Sequence, residues 1–226
     1  MRALDSWGDG GHDRCERIGH GGASALARAN TLASFDAALE IGVDMVEFDV
    51  RAWHGELVLA HTVFHARLGR NVRLDEALAH LSSRRFAGIG LNVDIKHTGC
   101  EAAVLDSLRA AGLLRRTLIC SQVAAVLDRI RALDPDVLTG ISVGGRLARR
   151  SRRWGDWREQ VLSGIATRRW DALMAQHRLV DTALLHDVIA RRGRLYAWTV
   201  NERQTLEGLR TLGVHGIATA DPRLFA

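Results

Sequence analysis

Val43-Asp44-Met45-Val46-Glu47-Phe48-Asp49-Val50 is the stretch that decides both fold and chemistry. Apart from its acids it reads as a buried β-strand. Side chains two apart on a strand share a face, so Glu47 and Asp49 project side by side. Adjacent buried anions repel, and each is costly to desolvate unless something neutralises it. A divalent cation is the simplest neutraliser, because hard cations take carboxylate oxygens. His20 and His61 lie near the ends of the same region and supply acid–base partners. The combination points to metal-assisted chemistry on a phosphate or similar anion.

Outward from this run, short apolar stretches alternate with helical patterns along the chain. Arg17-Ile18-Gly19-His20 is the first strand, followed by a helix capped at Asn30 or Thr31 with Leu32, Phe35, Ala38 and Leu39 at helical spacing. Glu56 to His61 extends the second strand or pairs with it across the turn Trp53-His54-Gly55. A helix over 74–84 precedes the third strand, 90–96, which is followed by a helix over 100–111 that Gly112 stops. A strand at 117–121 and a helix at 123–133 come next, ended by Asp134-Pro135-Asp136. Strands at 137–143, 172–176, 194–200 and 214–219 complete the set, with helices at 182–192 and 202–212 between the last three.

About eight βα units imply a parallel sheet with helices outside it. Eight favour a closed (β/α)₈ TIM barrel, here a short form with a reduced insertion after the second strand. An open doubly wound sheet is the alternative, but no glycine-rich phosphate loop follows the first strand. Residues 1–16 read as a flexible leader and 17–226 as a single barrel domain. In a barrel the strand C-termini carry the chemistry, so His20, Glu47, Asp49, His61, Asp94 and Lys96 are expected to converge on one mouth. Asp94 and Lys96 again share a face, as a structural ion pair or as a metal ligand beside a phosphate contact. Glycines around His20 make a tight turn, or let a phosphate approach the backbone amides, Gly21 among them.

Apolar residues make up 47% and charged residues 25%, ordinary for a soluble globular chain. No apolar run is long enough to span a bilayer. Three cysteines in no metal-type spacing fit reduced thiols in the cytoplasm. The net charge of +5, supplied almost wholly by arginine, favours anionic partners. Arg146 to Arg158, with Trp154 and Trp157, is a basic segment. It reads as a solvated exterior helix, or as a contact for phosphate or a lipid headgroup surface. No nucleic-acid motif accompanies it.

His20-Gly21-Gly22, Ala29-Asn30-Thr31 with Ser34-Phe35, Glu47-Phe48-Asp49-Val50, His61-Thr62, Asp94-Ile95-Lys96, Trp198-Thr199-Val200-Asn201 and Gly213-Val214-His215-Gly216-Ile217 occur in an order that resembles the glycerophosphodiester phosphodiesterase family. The likeness runs from about Arg17 to Pro222. It implies a (β/α)₈ barrel that hydrolyses glycerophosphodiesters to glycerol 3-phosphate and an alcohol, with Mg²⁺ or Ca²⁺ as cofactor. It assigns His20 and His61 as the catalytic pair, Glu47, Asp49 and Asp94 as metal ligands, Lys96 as a phosphate contact and Trp198 as a pocket wall. The implied substrate is a small phosphodiester or a lysophospholipid.

The chain departs from the family pattern at several places. Gly21 stands where an arginine is usual, and Arg28-Ala29 replaces Pro-Glu. Thr62 stands for Asp, Asp94 for Glu, and Thr219-Ala220 for Thr-Asp. The insertion after the second histidine shrinks to a short loop, 63–73. These departures leave two alternatives: a phospholipid-headgroup phosphodiesterase or lyase of the sphingomyelinase-D-like kind, and a decayed barrel that binds an anion.

Overall fold

The computed structural model describes residues 14–145 and 154–226. Most of the leader and residues 146–153 of the basic segment therefore lie outside the described residues. Among the described residues nine strands occur: β1 (Glu16–Gly19), β2 (Met45–Trp53), β3 (Glu56–Leu59), β4 (Gly90–Ile95), β5 (Thr117–Ser121), β6 (Leu138–Val143), β7 (Ala172–Gln176), β8 (Arg194–Trp198) and β9 (Gly216–Thr219). All but β3 are parallel to their neighbours, and β1 pairs with both β9 and β2, which closes an eight-stranded ring. The fold is a (β/α)₈ barrel. β3 lies outside the ring as an antiparallel hairpin arm on β2, opposing Val50 to Leu59 and Trp53 to Glu56.

Eight helices accompany the described strands: α1 (Leu32–Ile41), α2 (Val63–Leu68), α3 (Leu74–Leu81), α4 (Glu101–Ala110), α5 (Ala124–Leu133), α6 (Trp154–Ala166), α7 (Thr182–Ala190) and α8 (Arg203–Leu212). Local chemistry sets several ends. Thr31 caps α1 in a reciprocal box with Ser34. Asp181 caps α7. Gly42 and Gly213 end α1 and α8 in the left-handed conformation. No described helix is long and apolar enough to cross a membrane.

Strand alternation produces two apolar layers. Ile18, Met45, Leu118, Cys120, Leu138, Met174 and Tyr196 fill the ring interior. Val46, Phe48, Leu91, Val93, Ile119 and Leu173 face outward and join the helices in the main core. Below the interior cluster, Arg194 joins Glu16 and the Tyr196 hydroxyl. Gly216 has no side chain because the Tyr196 ring occupies its place; an added Cβ would lie 2.7 Å from that ring.

Several expected boundaries shift: the 214–219 strand starts at Gly216, the 74–84 helix ends at Leu81, and two further changes have a local cause. The 63–73 loop contains a helix, α2, because the Thr62 side chain accepts the His65 amide and caps it. The strand expected at 194–200 stops at Trp198, since the Val200 amide turns to the Ala218 carbonyl.

Phe48 is fully buried and tilts against Phe35 with ring centroids 5.6 Å apart. Phe48→Ala should remove about 3–5 kcal/mol of stability, read as a lower urea midpoint at unchanged slope. A loss well under 1 kcal/mol would mean that this outward layer does not hold β2 in place.

Candidate active site

β2 changes neighbour halfway along, and the site is built at that change. Its first residues pair with β1 and its last four with β3. Between them, the backbone of Glu47 and Asp49 on that side is taken up by the loop after β1. The Gly22 amide donates to the Glu47 carbonyl at 3.1 Å, and the Asp49 amide donates to Asn30 Oδ1 at 2.9 Å. Gly22 sits at φ +75°, and an added Cβ would lie 2.6 Å from the Ser34 backbone, so glycine is required for this approach.

On the other side β2 is in register with β4, with Glu47 opposite Asn92 and Asp49 opposite Asp94. Glu47 and Asp49 are buried, and Asp94 is nearly so. Each of the three offers one oxygen to a set lying within 4.8 Å. Lys96, the only lysine in the chain, donates to Asp49 Oδ1 and Asp94 Oδ2, both at 2.6 Å. Asp94 Oδ1 is buried with no hydrogen-bond partner among the described residues. Three carboxylates against one ammonium, with one buried oxygen unpaired, form a donor set that fits a hard divalent cation.

Charge crowding sets the ionisation of every member. Burial, then repulsion from Asp49, pushes Glu47 well above the ordinary carboxyl range. Burial and Asp49 likewise raise Asp94 against the opposing pull of Lys96. Burial would raise Asp49 too, but the His61 hydrogen bond and the Lys96 charge outweigh it and hold Asp49 low. Burial would lower Lys96, yet Asp94 and Asp49 outweigh it and keep the ammonium charged. His20 is lowered, mainly by burial, with Asp49 opposing and the charges of Lys96 and His61 adding to the fall.

The two histidines attach to different members of the carboxylate set. His61 Nδ1 lies 3.2 Å from Asp49 Oδ1. His20 Nε2 lies 3.9 Å from Glu47 Oε2 and 3.4 Å from Thr199 Oγ1. The six polar residues expected at one mouth are thus brought together. Gly21, at φ +62°, directs its amide to Glu47 Oε2 at 2.7 Å. Trp198 is fixed by its own contacts: its Nε1 donates to the Met174 carbonyl at 2.8 Å and its ring covers Gly144.

Three positioning residues escaped the sequence reading. Asn30 grips Asp49 twice, with Nδ2 on Oδ2 at 2.8 Å and Oδ1 on the Asp49 amide. Its buried left-handed conformation, φ +61°, is tolerated best by Asn among side-chain-bearing residues. Thr199 meets His20, and Arg51 donates to the His61 carbonyl at 3.2 Å. Asn30 and Thr199 both fall inside recognisable motifs, which was the available signal. Arg51 carried none.

The family model described as "Glycerophosphoryl diester phosphodiesterase family" matches residues 20–86. Glycerophosphodiester phosphodiesterase GDPD4 of Arabidopsis thaliana is 26% identical over 91% of this chain and 70% of its own length. A crystal structure from Silicibacter pomeroyi superposes with a TM-score of 0.83 at 21% identity, covering 99% of this chain and 96% of that one. An Oleispira antarctica phosphodiesterase, solved with the product sn-glycerol-3-phosphate, superposes with a TM-score of 0.74 at 23% identity, covering 92% of this chain and 94% of that one.

If the ammonium of Lys96 holds the set together when no metal is present, Lys96→Met in chelator should lower stability by about 3–5 kcal/mol, because two buried charges lose their partner. Added Mg²⁺ or Ca²⁺ should then raise the melting temperature of the variant more than that of the parent protein. Equal melting curves with and without the divalent ion, in both proteins, would dismiss cation binding at these acids.

Proposed function

We propose that this chain, which the glycerophosphoryl diester phosphodiesterase family model matches over residues 20–86, is a phosphoric diester hydrolase of that family that cleaves glycerophosphodiesters to glycerol 3-phosphate and an alcohol, with His20 and His61 as the proton-transfer pair. The observation that carries this reading is the joining of two imidazoles to one carboxylate set through Glu47 and Asp49. The product bound to the Oleispira antarctica phosphodiesterase supports glycerol 3-phosphate as one product here.

In this reading Glu47, Asp49 and Asp94 hold a divalent cation, Mg²⁺ or Ca²⁺. When bound, that ion supplies charge stabilisation to a phosphoryl oxygen. The protein's own groups do the rest. Burial lowers the His20 pKa and so favours the neutral ring, which can accept a proton from the attacking hydroxyl. His61 directs Nδ1 to Asp49, which fixes the ring and leaves Nε2 to return a proton to the departing alkoxide. Arg51 holds the His61 backbone, and Asn30 holds the carboxylate that orients the ring. Lys96 places a permanent positive charge beside the transferring phosphoryl group. Trp198 forms the wall at the end of β8.

His20→Ala and His61→Ala should each lower kcat/KM on glycerophosphodiesters by roughly 10²–10⁴-fold, with the melting temperature little changed. Chelator should abolish release of glycerol 3-phosphate. A depressed His20 stays unprotonated to lower pH than a free imidazole, so the acidic limb of kcat/KM should lie below the ordinary histidine value of 6.5. Full activity in either alanine variant would remove the proton-transfer pair. Headgroup release with a cyclic phosphate product would instead favour the headgroup lyase, and binding without turnover would favour the decayed barrel.

A further inference from the structure

α2 starts two residues after His61 and is packed inside out. Only Ala66 of its six residues is buried, against Val58 and Ala60 of the hairpin arm. Val63, Phe64 and Leu68 are 54%, 66% and 65% exposed, half of the large apolar side chains that lie exposed among the described residues. Phe64 and Leu68 are four apart and therefore share one helix face. Scattered exposed apolar residues are ordinary, but a contiguous set on one short element marks an interaction surface.

The segment that carries this face holds charge of one sign. His61 to Arg73 contains three arginines, two histidines and no acid. Arg73 pairs with Glu56 and Asp75, whereas Arg67 and Arg70 have no carboxylate partner among the described residues. The loop before α1 adds to the same rim. An added Cβ on Gly69 would lie 2.6 Å from Arg28 Nη2, so that guanidinium rests on the end of α2. Arg28 is likewise without a carboxylate partner among the described residues, and Leu26 beside it is 42% exposed. Large apolar side chains ringed by unpaired arginines match a lipid surface with anionic headgroups.

We propose that α2 and the adjoining Leu26–Arg28 loop dock the barrel mouth onto an anionic phospholipid surface. Phe64 and Leu68 enter the headgroup boundary while Arg28, Arg67 and Arg70 contact lipid phosphates. The docking surface stands on exposure and charge alone. Its consequence, that the enzyme meets diesters at a lipid surface, rests on the diesterase reading.

Co-sedimentation of the full chain with vesicles tests this, comparing pure phosphatidylcholine with phosphatidylcholine containing phosphatidylglycerol. The parent protein should bind the anionic vesicles at least roughly tenfold more tightly, with the preference falling as salt rises. Phe64→Ser/Leu68→Ser and Arg67→Gln/Arg70→Gln should each weaken that binding by roughly tenfold or more. Both should keep the parent's turnover of a soluble glycerophosphodiester. Failure of the parent protein to bind anionic vesicles would overturn the proposal, as would unchanged binding by the serine variant. A parent dimer in solution that the serine variant dissociates would assign the face to a second copy and also overturn it. Vesicle binding by a chain that shows no diesterase turnover would leave the docking surface standing and remove the catalytic reading.

Discussion

Three acids share one small buried volume, and a single ammonium stands between them. That imbalance governs the upper half of the barrel. Lys96 bonds one oxygen each of Asp49 and Asp94 directly, while Glu47 accepts a backbone amide and is pushed above the ordinary carboxyl range by burial and by Asp49. A chain that otherwise draws its positive charge from arginine uses its one lysine at this point. A compact ammonium fits between two carboxylates where the wider guanidinium fork would demand more room.

The acids are aimed by backbone rather than by neighbouring side chains alone. In a uniformly paired ring, residues 47 to 49 would spend their amides and carbonyls on an adjacent strand. Here β1 ends early and β3 begins late, so the gap is filled by the turn at Gly21–Gly22 and by Asn30. That arrangement draws the loop bearing His20 onto one flank of the carboxylates. The hairpin return, with the Ala60 amide on the Asp49 carbonyl, brings His61 to the other. The active-site geometry is therefore a product of where β2 exchanges partners.

Period-two reasoning made much of this legible in the sequence. Glu47 with Asp49, and Asp94 with Lys96, were placed on shared faces by spacing alone, and eight strand–helix units implied the ring. The antiparallel arm, the Asn30 clamp and α2 were harder to read. Whether 56–61 prolonged β2 or folded back depended on the His54–Gly55 turn, where both residues adopt positive φ. Asn30 reaches across nineteen positions to Asp49, a contact that local pattern does not encode. α2 is too short for a helical period to register, and its cap, Thr62, occupies a position where the family motif leads one to expect an acid. The role of Gly21 also turned on tertiary context, since its amide meets a carboxylate oxygen of the protein itself.

The hairpin arm has a consequence for how this architecture diversifies. Ring closure runs through β1, β2 and β4, and none of the ring's hydrogen bonds passes through β3. Residues between Trp53 and Leu74 are thus topologically a side branch: they can lengthen into a cap or contract to a stub without altering barrel shear or strand count. Only the junction that carries His61 back to Asp49 must be kept. The branch can vary in length while the ring that carries Glu47, Asp49, Asp94 and Lys96 is left unaltered, which makes it the natural seam for building chimaeras between short and long members of the fold.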